Sequence, residues 1–115
     1  MGVTLKDVRD QFGNDLADLW HVIAAYCTAE MRPARIHVWT LLDTRDDATE
    51  DALARAEHRV MTSFGDVDFD FTTIHLRARD PVHFIPEGAY PITIRDARVL
   101  RFFENALRAG QHAGA

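Results

Sequence analysis

Hydrophobic positions repeat at helical spacing near the start, middle and end of this chain, and at strand spacing in between. Thr4 followed three residues later by Asp7 reads as a capping box. Leu5, Val8 and Phe12 then share a helix face, and Gly13 is a suitable stop, so the spacing predicts a short first helix. Residues 15–31 fit two patterns. Leu16, Leu19, Trp20, Ile23, Cys27 and Met31 fall on one helix face, opened by Asn14 and closed before Pro33; Leu19 to Cys27 is equally an apolar run of strand length, and the uncharged run 20–29 reads as a core segment. Periodicity favours the helix, the run favours a strand, and both readings stand.

Ile36 to Leu42 is the clearest strand, β-branched and aromatic on both faces, as expected of a central strand covered on both sides. After a charged turn at 43–47, Leu53, Ala56, Val60 and Phe64 form an apolar stripe, with an Asp51 to Arg55 pair outside it and Gly65 as its stop, which predicts a helix. Val67, Phe69 and Phe71 alternate with Asp68, Asp70 and Thr72, a strand apolar on one side. Ile74 and Leu76 break the alternation, implying a bulge or a second buried face. Strand, helix and strand over 36–76 form a crossover unit with parallel strands. A loop punctuated by Pro81, Pro86 and Gly88 leads to an extended piece at 92–94. Asp96 caps a last helix in which Val99, Leu100, Phe103 and Leu107 share a face, Glu104 pairs with Arg108, and Gly110 is the stop.

The pattern as a whole predicts one α+β domain over residues 1–110. Its elements run α-β-β-α-β, then a short strand and a C-terminal helix, with a mixed sheet, helices packed on it and a flexible tail at 111–115. Trp39 and Leu41 point to one side of the central strand, Ile36, Val38 and Leu42 to the other. One sheet face is covered by two helices; the second is covered either by the first and last helices or by a second subunit. Trp39, Leu41, Phe84 and Phe102 are the candidate interface residues.

With 115 residues there is room for one core, and 47% apolar with 27% charged residues is an ordinary globular balance. The net charge of −5 disfavours nucleic acid as a partner. The longest uncharged run, 20–29, is too short for a bilayer, and residues 1–7 lack the basic region and apolar run of a secretory signal. Cys27 is the only cysteine, so no internal disulfide forms. The expectation is a cytoplasmic protein without a membrane partner.

The stretch from Trp20 to Pro33, followed by Arg35 to Asp43, resembles the front end of minimal nucleotidyltransferase domains of the DNA polymerase β superfamily. In that family the first strand ends in a Gly-Ser pair, a loop rich in Tyr, Arg, Glu and Pro follows, and the second strand carries two aspartates one residue apart. Tyr26, Glu30, Arg32 and Pro33 stand at the loop positions. Ala24 and Ala25 occupy the Gly-Ser positions, and Arg35 and His37 those of the aspartates. Asp68 or Asp70 would correspond to the third carboxylate, and the Pro86 to Ala89 turn to the one before the family's final strand. The resemblance implies a scaffold stripped of its chemistry, because magnesium requires hard carboxylate oxygens that an arginine and a histidine do not supply.

Other candidate chemistry is sparse. His37 and His75, with Asp70 nearby, are a ligand set zinc accepts, but their spacing matches no compact metal motif, and a polar cluster on the open sheet face is the favoured reading. His21, His58, His83 and His112 are scattered, Cys27 reads as a small hydrophobe, and Asp66, Asp68 and Asp70 read as a solvated face without an EF-hand's spacing. No catalytic residue, metal or cofactor is assigned. The chain is expected to be a non-catalytic binding or regulatory protein that contacts a protein partner or itself as a homodimer. The alternatives are an enzyme or nucleotide binder with a site at the sheet edge, and a zinc-responsive ferredoxin-like dimer built on residues 35–76.

Overall fold

The computed structural model describes residues 4–31 and 34–113. Helix α1 spans Leu5–Leu16, strand β1 Val22–Met31, strand β2 Ala34–Leu42, helix α2 Asp47–Ser63, strand β3 Asp68–His75, a 3-10 turn Pro81–Phe84, strand β4 Tyr90–Ile94 and helix α3 Ala97–Ala113. The strands form one mixed sheet in the order β3-β2-β1-β4, with β2 and β3 parallel across α2 and the other two pairs antiparallel. The α+β architecture and its element order are those expected from the pattern.

Local chemistry explains the element starts. The Thr4 hydroxyl accepts from the Asp7 amide at 3.1 Å and the Asp7 carboxylate from the Thr4 amide at 3.0 Å, closing the capping box. Asp46 caps α2 through the Thr49 amide at 2.9 Å. The Asp96 carboxylate accepts from the Arg98 amide at 2.8 Å in the first turn of α3.

Two of the three expected glycine stops behave differently from expectation. Helix α1 continues through Gly13 to Leu16, because Gly13 serves close packing: a Cβ there would lie 3.3 Å from the Ile92 carbonyl of β4. Helix α2 ends as expected, at Ser63 with Phe64 as its cap and Gly65 just past it, the Phe64 amide bonded to the Val60 carbonyl. Helix α3 passes Gly110 and includes 111–113 of the expected tail, while 114–115, like Arg32 and Pro33 of the loop, lie outside the described residues. The i, i+4 pairs expected at Asp51–Arg55 and Glu104–Arg108 are not among the ion pairs of the described residues.

Residues 22–31 take the strand reading. A helix would satisfy its own backbone, but here the run lies between β2 and β4 and both its edges are hydrogen-bonded, so tertiary pairing overrides helical periodicity. Trp20 falls outside the strand, on the turn before it, and is 86% exposed rather than part of a core segment.

Each sheet face has its own apolar cluster. On one, Val8, Phe12 and Leu16 of α1 and Leu53, Ala56 and Val60 of α2 pack on Ala25, Cys27, Val38 and Leu42. On the other, Tyr26, Leu41 and Leu76 gather Ile74, Trp39, Phe84 and Phe103. Ile74 and Leu76 break the alternation because they feed this second cluster; β3 keeps an unbroken register with β2 from Asp68 to His75.

Candidate protein-contact surface

Among the described residues the second sheet face is covered at one end only. The 81–84 turn and the first half of α3 supply the cover, with Val99 fully buried and Phe103 against the Tyr26 and Leu41 cluster. The Tyr26 hydroxyl donates to the Phe84 carbonyl, and the Arg79 guanidinium lies 4.8 Å from the Phe84 ring centre. Helix α3 then runs back along β4, so that Phe102, Phe103 and Ala106 form an apolar groove of about 300 Å³ with Pro86 to Ala89. Beyond that the helix has more apolar surface than the fold uses. Leu100 is 48% exposed and Leu107 66% exposed, seven residues apart on one flank, and Phe102 on the other is half-buried.

At the other end of the same face the strand register aligns polar rows. Tyr26, Trp39 and Thr72 lie across one row, Thr28, His37 and Asp70 across the next, and Glu30, Arg35 and Asp68 across the last. His37 is tied to both neighbours. Its Nδ1 is 3.0 Å from Asp70 Oδ2, and its Nε2 is 3.3 Å from Glu30 Oε1, although that second approach is too poorly aligned to count as a hydrogen bond and leaves Nε2 buried without one. Each ring nitrogen therefore faces a carboxylate, and the ring lies tilted with its centre 5.8 Å from that of Trp39. Because Nε2 is shut away from solvent beside Glu30, the ring presents no accessible nitrogen, and the geometry suits a tie across β1, β2 and β3 better than a general base or metal ligand.

His75 does not join this cluster. It lies opposite Leu42 in the register, and its Nε2 is 3.0 Å from Glu50 Oε1 of α2. No group of three or more histidine, cysteine or carboxylate residues suited to a metal ion occurs among the described residues. Cys27 is fully buried, and burial pushes its thiol up to about 12, which keeps it protonated and unreactive at neutral pH. The phenol of Tyr26 is pushed far above its ordinary value by the same cause.

Of the four candidate interface residues, Leu41 is fully buried within the second cluster and is not available to a partner; Trp39, Phe84 and Phe102 are half-buried on that face. The shortfall at Leu41 has a simple cause, since the chain's own 81–84 turn lies over its row. Sequence reasoning also placed Leu100 and Leu107 among the packed residues of the last helix, whereas they are its exposed flank. The sheet centre, at Ala24 and Ala25, is fully buried and offers neither a hydroxyl nor a backbone exposed to a ligand.

Other depressions lie between α1 and β4, lined by Arg9, Asn14 and Thr93, and beside Trp20 and the start of α2. Among the described residues no helix is long and apolar enough to cross a membrane. Comparison of the chain with protein-family models, curated proteins and solved structures gives no match.

Proposed function

We propose that this chain is a non-catalytic binding or regulatory protein, cytoplasmic, which works through protein contacts made by the face carrying α3, on a degenerate nucleotidyltransferase-like scaffold. The observation that carries the reading is the unused apolar flank of α3, Leu100 and Leu107, on the same face as half-buried Phe102 and the groove at 86–89. Apolar surface concentrated on one side of a helix already docked by its other side marks a contact surface. The scaffold reading is supported by the order of elements and by the pairing of 22–31 with 34–42. The loss of chemistry is supported by buried alanines at 24 and 25 and by a histidine at 37 held between two carboxylates.

Thermal melting with a panel of nucleoside triphosphates and magnesium tests the non-catalytic part. A ligand at 100 times its Kd stabilises a protein by about 2.7 kcal/mol, several degrees in Tm for a domain of this size. No shift beyond about 1 °C is expected at millimolar nucleotide. A shift of several degrees would mean a working phosphate site and would end this reading.

A further inference from the structure

We propose that the occupant of this surface is a second copy of the chain, with the exposed flank and last turns of α3 from each copy lying across the bare polar rows of the other's sheet. The proposal rests on the protein-contact reading above and names its partner. Two half-sites on one chain are complementary. The bare rows carry Glu30, Asp68 and Asp70 against Arg35, all four exposed, whereas α3 carries exposed Arg98, Arg101 and Arg108 against Glu104. Charges of opposite sign therefore collect on two parts of one molecular face, in a protein whose net charge of −5 would otherwise keep copies apart. Arg98 is engaged by Asp96 at 2.9 Å, which leaves Arg101 and Arg108 as the arginines offered outward.

The apolar parts match in the same way. Leu107 is next to Arg108 on the helix, and Trp39 is one row from Asp70 on the sheet, so a leucine meeting the tryptophan brings the arginine to the carboxylate. A twofold axis makes each such contact occur twice, the helix of one copy on the sheet of the other and the reverse, as an isologous dimer requires. Pairing α3 with α3 alone does not suffice. The exposed parts of two leucines fall far short of the roughly 800 Å² per partner of a stable interface, so the sheet rows must take part.

Sedimentation velocity from 1 to 200 µM at low salt tests the proposal on the full chain. A reversible dimer with a micromolar dissociation constant is expected, weakening as salt rises because exposed charges are screened. Leu107→Glu, at a position exposed enough to leave folding intact, is expected to raise the constant about 100-fold. Asp70→Arg and Arg108→Glu singly are each expected to raise it about 10-fold, and the double variant to return within about threefold of the parent. Circular dichroism confirms that each variant is folded. A monomer throughout the range, or a dimer indifferent to Leu107→Glu, or a double variant no tighter than the single ones, overturns the proposal. None of these results produces a nucleotide shift, so this failure is distinct from that of the functional reading.

Discussion

Removing one oxygen from the second core cluster has a consequence that changes with pH. Tyr26 is fully buried, and its hydroxyl donates to the Phe84 carbonyl, joining the sheet to the 81–84 turn that covers it. In Tyr26→Phe the ring packing stays and the carbonyl loses its partner, a loss of about 1–3 kcal/mol at pH 7. The alkaline side runs the other way. Burial raises the folded-state phenol far above its ordinary value of 10.0, so above that pH the unfolded chain releases a proton that the folded chain keeps. Parent stability then falls with rising pH at up to about 1.4 kcal/mol per unit, and the phenylalanine variant lacks this term. Urea unfolding of both proteins at pH 7 and pH 11 reads the difference; Cys27 is common to both, so its own titration cancels. The variant is expected to be less stable at pH 7 and to recover about 1 kcal/mol of the gap at pH 11. A gap that is equal at the two pH values would refute the buried, neutral state assigned to this phenol.

Cys27 has the same linkage in a lower window. Its thiol is raised from 9.0 to about 12, so its contribution to parent stability is complete below pH 9 and is lost progressively as pH rises from 9 towards 12. Cys27→Ala is expected to be less stable at pH 7 but flatter across that window when followed by denaturant midpoint. The Arg95 guanidinium donates to the carbonyls of Leu16 and Ala17 at the end of α1 and of Leu19 and Val22 beyond it; Arg95→Met is expected to lower stability by about 2 kcal/mol and to speed amide exchange over 17–22. Arg77 and Ala78, in the turn after β3, have φ of 52° and 65°, a left-handed pair that L-residues adopt at a cost. Ala78→Gly is expected to raise the thermal midpoint by a few degrees, net of glycine's extra unfolded-state freedom; a lowered midpoint would show that the turn carries no strain.

Elements whose pattern is set by neighbours in the chain were legible. The capping box at Thr4, the Leu53 to Val60 stripe and the alternation from Val67 to Phe71 each report a local period that survives folding. Glycines were read less well, since a glycine that ends a helix and one that lets a strand approach are the same letter. Gly13 is the second kind because Ile92, 79 residues later, packs on it. The adjacency of their strands places His37 beside Asp70, whereas His75 meets Glu50 because α2 lies over that end of the sheet.

Periodicity, charge and the lone cysteine were enough to establish an α+β chain with a parallel crossover, no internal disulfide and more apolar surface than one sheet face can hide. They left two questions that no local pattern answers. Whether 22–31 coils or extends depends on hydrogen-bonding partners at β2 and β4, and which leucines of α3 stay in solvent depends on how far along that helix the 81–89 segment reaches. Both are matters of long-range packing, in which backbone pairing and the space already filled by distant residues outweigh the preferences of the segment itself.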